Sequence, residues 1–145
     1  ASTARGRLQG FSDTMATAGL ARSARQVNAL RSEQEAYSAV HGFMQLDDPP
    51  TALFSSHYLV ILGAIRALHD LQLAERIALI GFDDIVLADL VRPAISVMAH
   101  DPTQLGTLAA ERIFARLDGD TSAVQTVVIA AKLIARGSGE IPPSD

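Results

Sequence analysis

The apolar residues of this 145-residue chain change period in an orderly alternation, and that alternation constrains the fold most. Leu8, Phe11, Met15 and Ala18 recur on one helical face, with Ser2 or Thr3 placed to cap the helix and Gly19 to end it. Gln26–Leu30 has the length of a short strand, although only Val27 and Leu30 are strongly apolar. Ser32 with Glu35 three residues on reads as a capping box for a helix to about Leu46, which Asp47-Asp48-Pro49-Pro50 stops. Thr51–Ser55 is a short strand, His57–Leu73 a helix apolar almost all round, and Arg76–Gly81 the continuous run of a buried parallel strand. This α-β-α-β-α-β order predicts an α/β fold, a Rossmann-like parallel sheet flanked by helices.

After Asp84 the alternation breaks. Pro93 opens an extended stretch, Ala94–Ala99, and Asp101-Pro102 starts a helix with a cap and a proline in its first turn. That helix runs to about Leu117, where Asp118-Gly119-Asp120 turns the chain. Val124–Ile129 and Lys132–Ala135 read as two more strands, and the Gly- and Pro-rich tail Gly137–Asp145 as frayed.

Composition narrows the function classes. With 12 basic and 16 acidic residues the chain carries a net charge of −4, which argues against unaided binding to nucleic acid. The absence of cysteine excludes disulfides, thiolate metal sites and a cysteine nucleophile. The longest apolar stretch, Leu53–Ile65, is closed by Arg66 and falls short of the ~18–20 residues of a membrane span. The opening ASTARGRLQG has no signal-peptide pattern. No nucleophile elbow surrounds Ser55-Ser56-His57, and the four histidines (41, 57, 69 and 100) include no i,i+4 pair. No phosphate-binding glycine loop follows a strand either. Neither enzyme chemistry nor a metal or cofactor is expected.

A parallel α/β sheet binds ligands beyond the carboxyl ends of its strands, where connecting loops open a crevice. Those ends are Leu30-Arg31, Ser56-His57 and Phe82-Asp83-Asp84, and Thr3 and Arg7 in the first turns of the opening helix point to the same edge if a strand precedes them. Two arginines, a histidine and a carboxylate would share one rim, suited to a polar ligand with vicinal hydroxyls. Each also has a plainer structural role open to it. Arg7 and Arg31 can be solvated charges, His57 can simply begin its helix, and one carboxylate of the Asp83-Asp84 pair can cap the following turn.

Four stretches, in order and at natural spacing, carry a resemblance to a known family: TARGRLQGF (3–11), PPTALFSSHYLVILGAIRAL (49–68), IALIGFDDIVLADLVRPAISVMAHDPTQLG (77–106) and LIARGS (133–138). They resemble the effector-binding core of bacterial transcription regulators of the lac repressor/galactose repressor (LacI/GalR) family. The resemblance implies a two-lobed core like that of periplasmic sugar-binding proteins. Residues 1–96 would then form most of the second lobe, 97–130 a crossover segment of the first lobe, and 131–145 the return and tail. A DNA-binding head, most of the first lobe and the opening strand of the second are expected upstream. By resemblance Arg7 meets effector hydroxyls or a carboxylate, Asp83 accepts hydrogen bonds from ligand, and Thr3 supplies a small hydroxyl. His57 stands where Asn is usual. Arg31 lies near a position where some members carry a stacking aromatic ring, so a sugar phosphate or sugar acid is conceivable. Phe82 completes the candidate set.

The implied function is sensing of a small sugar-like effector in an interlobe cleft, in a cytoplasmic homodimer that touches DNA only through the absent head and has no contact with a membrane. The helix 57–73 and the segment 86–91 are the expected dimer contact, and Leu105, Leu108, Ile113 and Leu117 are expected to form a stripe meant for a first-lobe sheet. The alternative of another class is a periplasmic sugar-binding protein feeding a transporter.

Overall fold

In a computed structural model the described residues are 2–143, with Ser2 described by its backbone alone. Four helices and four strands follow in chain order: α1 (Ser2–Thr17), α2 (Glu33–Met44), β1 (Ala52–Ser55), α3 (Tyr58–Asp70), β2 (Ala78–Phe82), β3 (Ser96–Ala99), α4 (Pro102–Leu117) and β4 (Lys132–Ile134). A 3-10 turn, Ser138–Glu140, ends the regular structure. The helix starts at Ser2, so Thr3 lies inside its first turn rather than capping it; whether the Ser2 side chain caps anything falls outside the described residues.

The sheet has the order β1-β2-β3-β4. Its first three strands are parallel, with Ser55 opposite Gly81 and Phe82 opposite Met98. β4 runs antiparallel to β3, and Ala99 faces Lys132. The direction of β4 has a simple cause. The chain leaves the sheet at the carboxyl end of β3 and returns opposite that same point, so its next strand must run back.

Strand alternation sorts the side chains onto two faces. Leu53, Leu79 and Val97 pack with Ile61, Ala64, Ala67 and Leu68 of α3, and Leu79, Ile61 and Val97 are fully buried. Each such burial contributes about 1.5–3 kcal/mol. Two glycines permit the close approach. A Cβ on Gly81 would lie 2.6 Å from Ile61 Cδ1, and one on Gly63 would lie 2.6 Å from Ala36 Cβ of α2. Thus α2, through Ala36 and Val40, is the second apolar neighbour that the all-round apolar α3 requires. Tyr58 and Leu59 of α3 stay exposed, together with Val86, Leu87 and Leu90 of the loop after β2.

The capping box forms in shifted register. Ser32 Oγ accepts from Glu35 N at 3.1 Å as expected, but the Glu35 carboxylate accepts from Arg31 N at 2.7 Å, one residue before the cap. Gln26–Leu30 and Val124–Ile129 are not strands, contrary to their apolar pattern. A strand exists only by pairing, and neither segment lies beside another strand among the described residues. Ala29 has a left-handed φ of 63°, which breaks an extended run, and Val124 is 94% exposed.

The tail is a further correction, since residues 137–140 are anchored and Ser138 is buried. Ser138 Oγ donates to the Leu79 carbonyl at 2.6 Å and accepts from Ser96 N at 2.9 Å, so one hydroxyl bridges β2 and β3. Ser96 Oγ accepts from Arg136 N at 2.9 Å and donates to Glu140 Oε2 at 2.9 Å. The composition of the tail suggested fraying; two buried serines sharing their bonds hold it in place. Only Ser144 and Asp145 of that tail lie outside the described residues.

Neither α1 nor α4 packs broadly on another helix or strand, and α4 has no buried residue. In its apolar stripe Leu105, Ile113 and Leu117 are exposed, Leu117 to 75%, whereas Leu108 is half-buried.

Gly63→Ala is expected to push α2 off α3 and cost about 1–3 kcal/mol, read as a lower midpoint in thermal unfolding. Gly10→Ala on α1, where nothing lies within 4 Å, should leave that midpoint unchanged or raise it slightly.

Candidate functional site

The carboxyl ends of β1, β2 and β3 stand side by side, about 4.8 Å from one strand to the next. They deliver Ser56-His57, Phe82-Asp83 and His100-Asp101 to one edge. Gly81 faces α3, so Phe82 points to the opposite side of the sheet, and there the Arg7 guanidinium of α1 lies over its ring, 4.4 Å from the centroid. Arg7 Nε is buried with no hydrogen-bond partner among the described residues. Arg7 is therefore not a solvated helix charge; its stem is packed and its head lies against the aromatic ring at the strand end.

The two aspartates have separate tasks. Asp84 accepts two parallel hydrogen bonds from Arg136, each 2.8 Å, and one from Ile85 N at 3.0 Å. The Arg136 hydrogen bonds hold the Asp84 carboxyl below the ordinary carboxylate range, against the opposing pull of its partial burial. Arg136 also donates to the Ile95 carbonyl at 3.1 Å, so the pair ties the loop after β2 to the segment after β4. Asp83 keeps its carboxylate free of arginine. Its backbone N donates to the Met98 carbonyl at 2.9 Å, and its φ of 76° is left-handed. The side chain is 36% exposed, enough for a ligand to reach, and Oδ1 lies 3.7 Å from Nδ1 of His100.

On the neighbouring strand end, His57 takes the N-cap position of α3 without capping it through its side chain. Its Nε2 donates instead to the Leu30 carbonyl at 3.1 Å, which fixes the loop carrying Arg31. The Arg31 side chain is exposed, and its backbone N–H is taken by Glu35. Thr3 is exposed in the first turn of α1. The structure thus brings Arg7, Phe82 and Asp83 together, and joins His57 to the Arg31 loop on the adjacent strand end; it shows no contact for the Thr3 side chain.

His100 joins the cluster without having been singled out. Its signal in the sequence is that it directly follows the extended run Ala94–Ala99. Arg136 was likewise visible only as part of a sequence motif. Nothing local to it shows that its partner is Asp84, 52 residues away. Among the described residues no group of three or more His, Cys, Asp or Glu side chains is placed to hold a metal ion.

Three parallel strands and one antiparallel strand, with a polar rim at the carboxyl edge and two weakly packed helices, form an open α/β sheet. In agreement, the periplasmic binding protein-like domain family matches residues 1–139, and the chain belongs to it. Within that family it is a member of the LacI/GalR group. It is 32% identical over 120 residues to the HTH-type transcriptional regulator PtxS of Pseudomonas aeruginosa, covering 81% of this chain and 35% of that protein. The crystal structure of the Escherichia coli transcriptional repressor AscG aligns with a TM-score of 0.74 at 30% identity, over 91% of this chain and 49% of that one. A sugar-binding transcriptional regulator of the LacI family from Escherichia coli, complexed with phosphate, aligns with a TM-score of 0.75 at 30% identity, over 94% and 50%. The chain spans about half or less of the length of each.

Because the Asp84 pKa is lowered on folding, the clasp stabilises the fold above the ordinary carboxylate pKa and that contribution is lost as pH falls through the lowered value. Asp84→Asn should lower the unfolding midpoint at pH 7 and bring it towards the parent's value in acid, below about pH 4. Thermal unfolding followed from pH 7 to pH 3 checks this; a midpoint difference that does not shrink in acid would contradict it.

Proposed function

We propose that this chain is the effector-sensing and dimerising part of a longer bacterial transcription regulator. A small sugar-like effector is held at the carboxyl edge of the sheet, by Asp83 accepting from hydroxyls and Arg7 donating to ligand oxygens. One observation carries this reading: in a chain of the LacI/GalR core family, the Arg7 guanidinium lies on the ring of Phe82, and the carboxylate of the next residue, Asp83, is left free of arginine. Phe82 restricts Arg7 to one plane, so its donors are organised before ligand arrives. His57 and Arg31 extend the same rim. Thr3 adds a hydroxyl from the first turn of α1.

Residues 1–96 then belong to the second lobe, 97–130 to the first, and 131–145 return. In support, β3 ends at Ala99 and β4 begins at Lys132, near those limits. The stretch 100–131 leaves and re-enters at the ligand edge, as a connection to another lobe across a cleft would. The exposed stripe of α4 is the surface such a lobe would cover. Ligand between the lobes shifts their orientation only by its differential affinity for the two arrangements, and a DNA-binding head outside this chain reports the shift. The regulator acts in the cytoplasm and performs no catalysis. No helix of the described residues is long and apolar enough to cross a membrane.

Two copies meet through the helix 57–73 and the segment 86–91. Support comes from the exposed Leu59 on the former and Val86, Leu87 and Leu90 on the latter, apolar surface that the chain leaves uncovered.

Asp83→Asn and Arg7→Gln in the full-length protein are each expected to weaken effector binding about tenfold or more by titration calorimetry, with folding retained. Unchanged affinity in both would remove the site from this edge. Leu59→Asp combined with Leu90→Asp should convert a dimer to a monomer in sedimentation velocity, and an unaltered sedimentation coefficient would place the interface elsewhere.

A further inference from the structure

Asp83 and His100 are set side by side by the sheet itself. The ladder places Phe82 opposite Met98, and Asp83 N continues it by donating to the Met98 carbonyl at 2.9 Å. Asp83 is the first residue beyond β2, and His100 the first beyond β3. Their side chains approach to 3.7 Å, Oδ1 to Nδ1, with His100 32% and Asp83 36% exposed. Other charged groups stand nearby and keep their charge, but none pairs with either residue among the described residues. Asp84 is bound by Arg136, and Asp101 accepts from Thr103 N and Gln104 N at the start of α4. The Arg7 guanidinium lies on Phe82, and Lys132, opposite Ala99, is exposed. His57 is turned to the Leu30 carbonyl, so His100 is the histidine that faces a carboxylate.

An ionised carboxylate only accepts, so the ring nitrogen facing it is attracted only when it carries a proton. A free neutral imidazole in water favours the proton on Nε2; the Asp83 carboxylate selects the Nδ1–H form instead. The 3.7 Å approach exceeds an ordinary N–H···O length by about 0.7 Å, which a small rotation of either part-exposed side chain closes. We propose that His100 is a positioning residue for effector binding: its Nδ1–H holds Asp83 Oδ1 and leaves Oδ2 turned to the effector's hydroxyls. This rests on the proposal that the carboxyl edge of the sheet is the effector site. The left-handed φ of Asp83 and its bond to Met98 fix the backbone from which the carboxylate projects, and His100 fixes the carboxylate itself. A carboxylate oriented beforehand loses less freedom when ligand arrives. His100 also opens the stretch that leaves the sheet, so the same contact ties the ligand-reading carboxylate to that connection.

Nitrogen NMR of the full-length protein with isotope-labelled histidine tests the pair without any ligand. In alkaline buffer, with the rings neutral, His100 should carry its proton on Nδ1, and Asp83→Ala should return it to Nε2. His100→Asn assigns the signals by removing them. An Nε2–H ring in the parent, unchanged by Asp83→Ala, would overturn the pairing and leave the effector edge intact. Calorimetry with D-ribose, D-glucose and D-galactose as probes tests the consequence. For a sugar that binds, His100→Ala should weaken affinity about three- to tenfold. His100→Asn, whose side-chain amide offers an N–H at a similar reach, should keep most of it. In an Asp83→Asn background His100→Ala should have no further effect. Affinity weakened by Asp83→Asn but unmoved by His100→Ala would overturn the role of His100 alone. Affinity unmoved by both would overturn the effector edge as well, as would failure of all three sugars to bind.

Discussion

Arg136 grips Asp84 with two parallel 2.8 Å hydrogen bonds, and on that clasp depends how the end of the chain is held against the carboxyl edge of the sheet. It joins the loop after β2 to the segment after β4, so a short antiparallel strand and a glycine-rich tail become part of the sheet. Ser138 and Ser96 reinforce it from within by bridging β2 and β3 and accepting the amides of the returning chain. The clasp also divides the labour of an acidic pair. Asp84 is committed to structure, and Asp83, held in a left-handed conformation beside it, keeps a reachable carboxylate. Two adjacent carboxylates at a strand end would otherwise repel each other and compete for the same cation.

The same edge of the sheet serves two purposes. Parallel strands bring Ser56-His57, Phe82-Asp83 and His100 into a row, and α1 lays Arg7 on Phe82 from the face opposite α3. It is also where the chain departs after Ala99 and returns at Lys132. A ligand bound there lies against the two points at which the connection leaves the sheet. Closure about that ligand would therefore act directly on the connecting segments, which is the mechanical requirement for passing a binding event to another part of a larger protein.

Much of this was legible in the sequence, and the exceptions have physical causes. The buried run of β2, the apolar surround of α3 and the Asp101-Pro102 start of α4 depend on local patterns, and all three formed. The strand ends predicted that Ser56-His57 and Phe82-Asp83 would stand side by side, because parallel topology alone brings such ends together, whereas Arg7 reaches that edge from α1 through its contact with Phe82. Gln26–Leu30 and Val124–Ile129 failed because apolar pattern measures willingness to pair but not the presence of a neighbour. The tail was misread because two serines and a glutamate look solvent-loving until their partners are known, and those partners lie more than 40 residues away. Long-range pairing hid Asp84–Arg136 for the same reason. His100 follows β3 as Asp83 follows β2, so its place at the edge has the same cause.

Hydrogen–deuterium exchange on the full-length protein, with and without a bound effector, tests most directly whether ligand sits at these strand ends. Slowed exchange in the segments around residues 3–8, 30–32, 56–58 and 82–84, and in the connections flanking 99–101 and 131–133, is the expected result. Saturating binding that leaves all of these segments unprotected, with protection elsewhere on the chain, would contradict it.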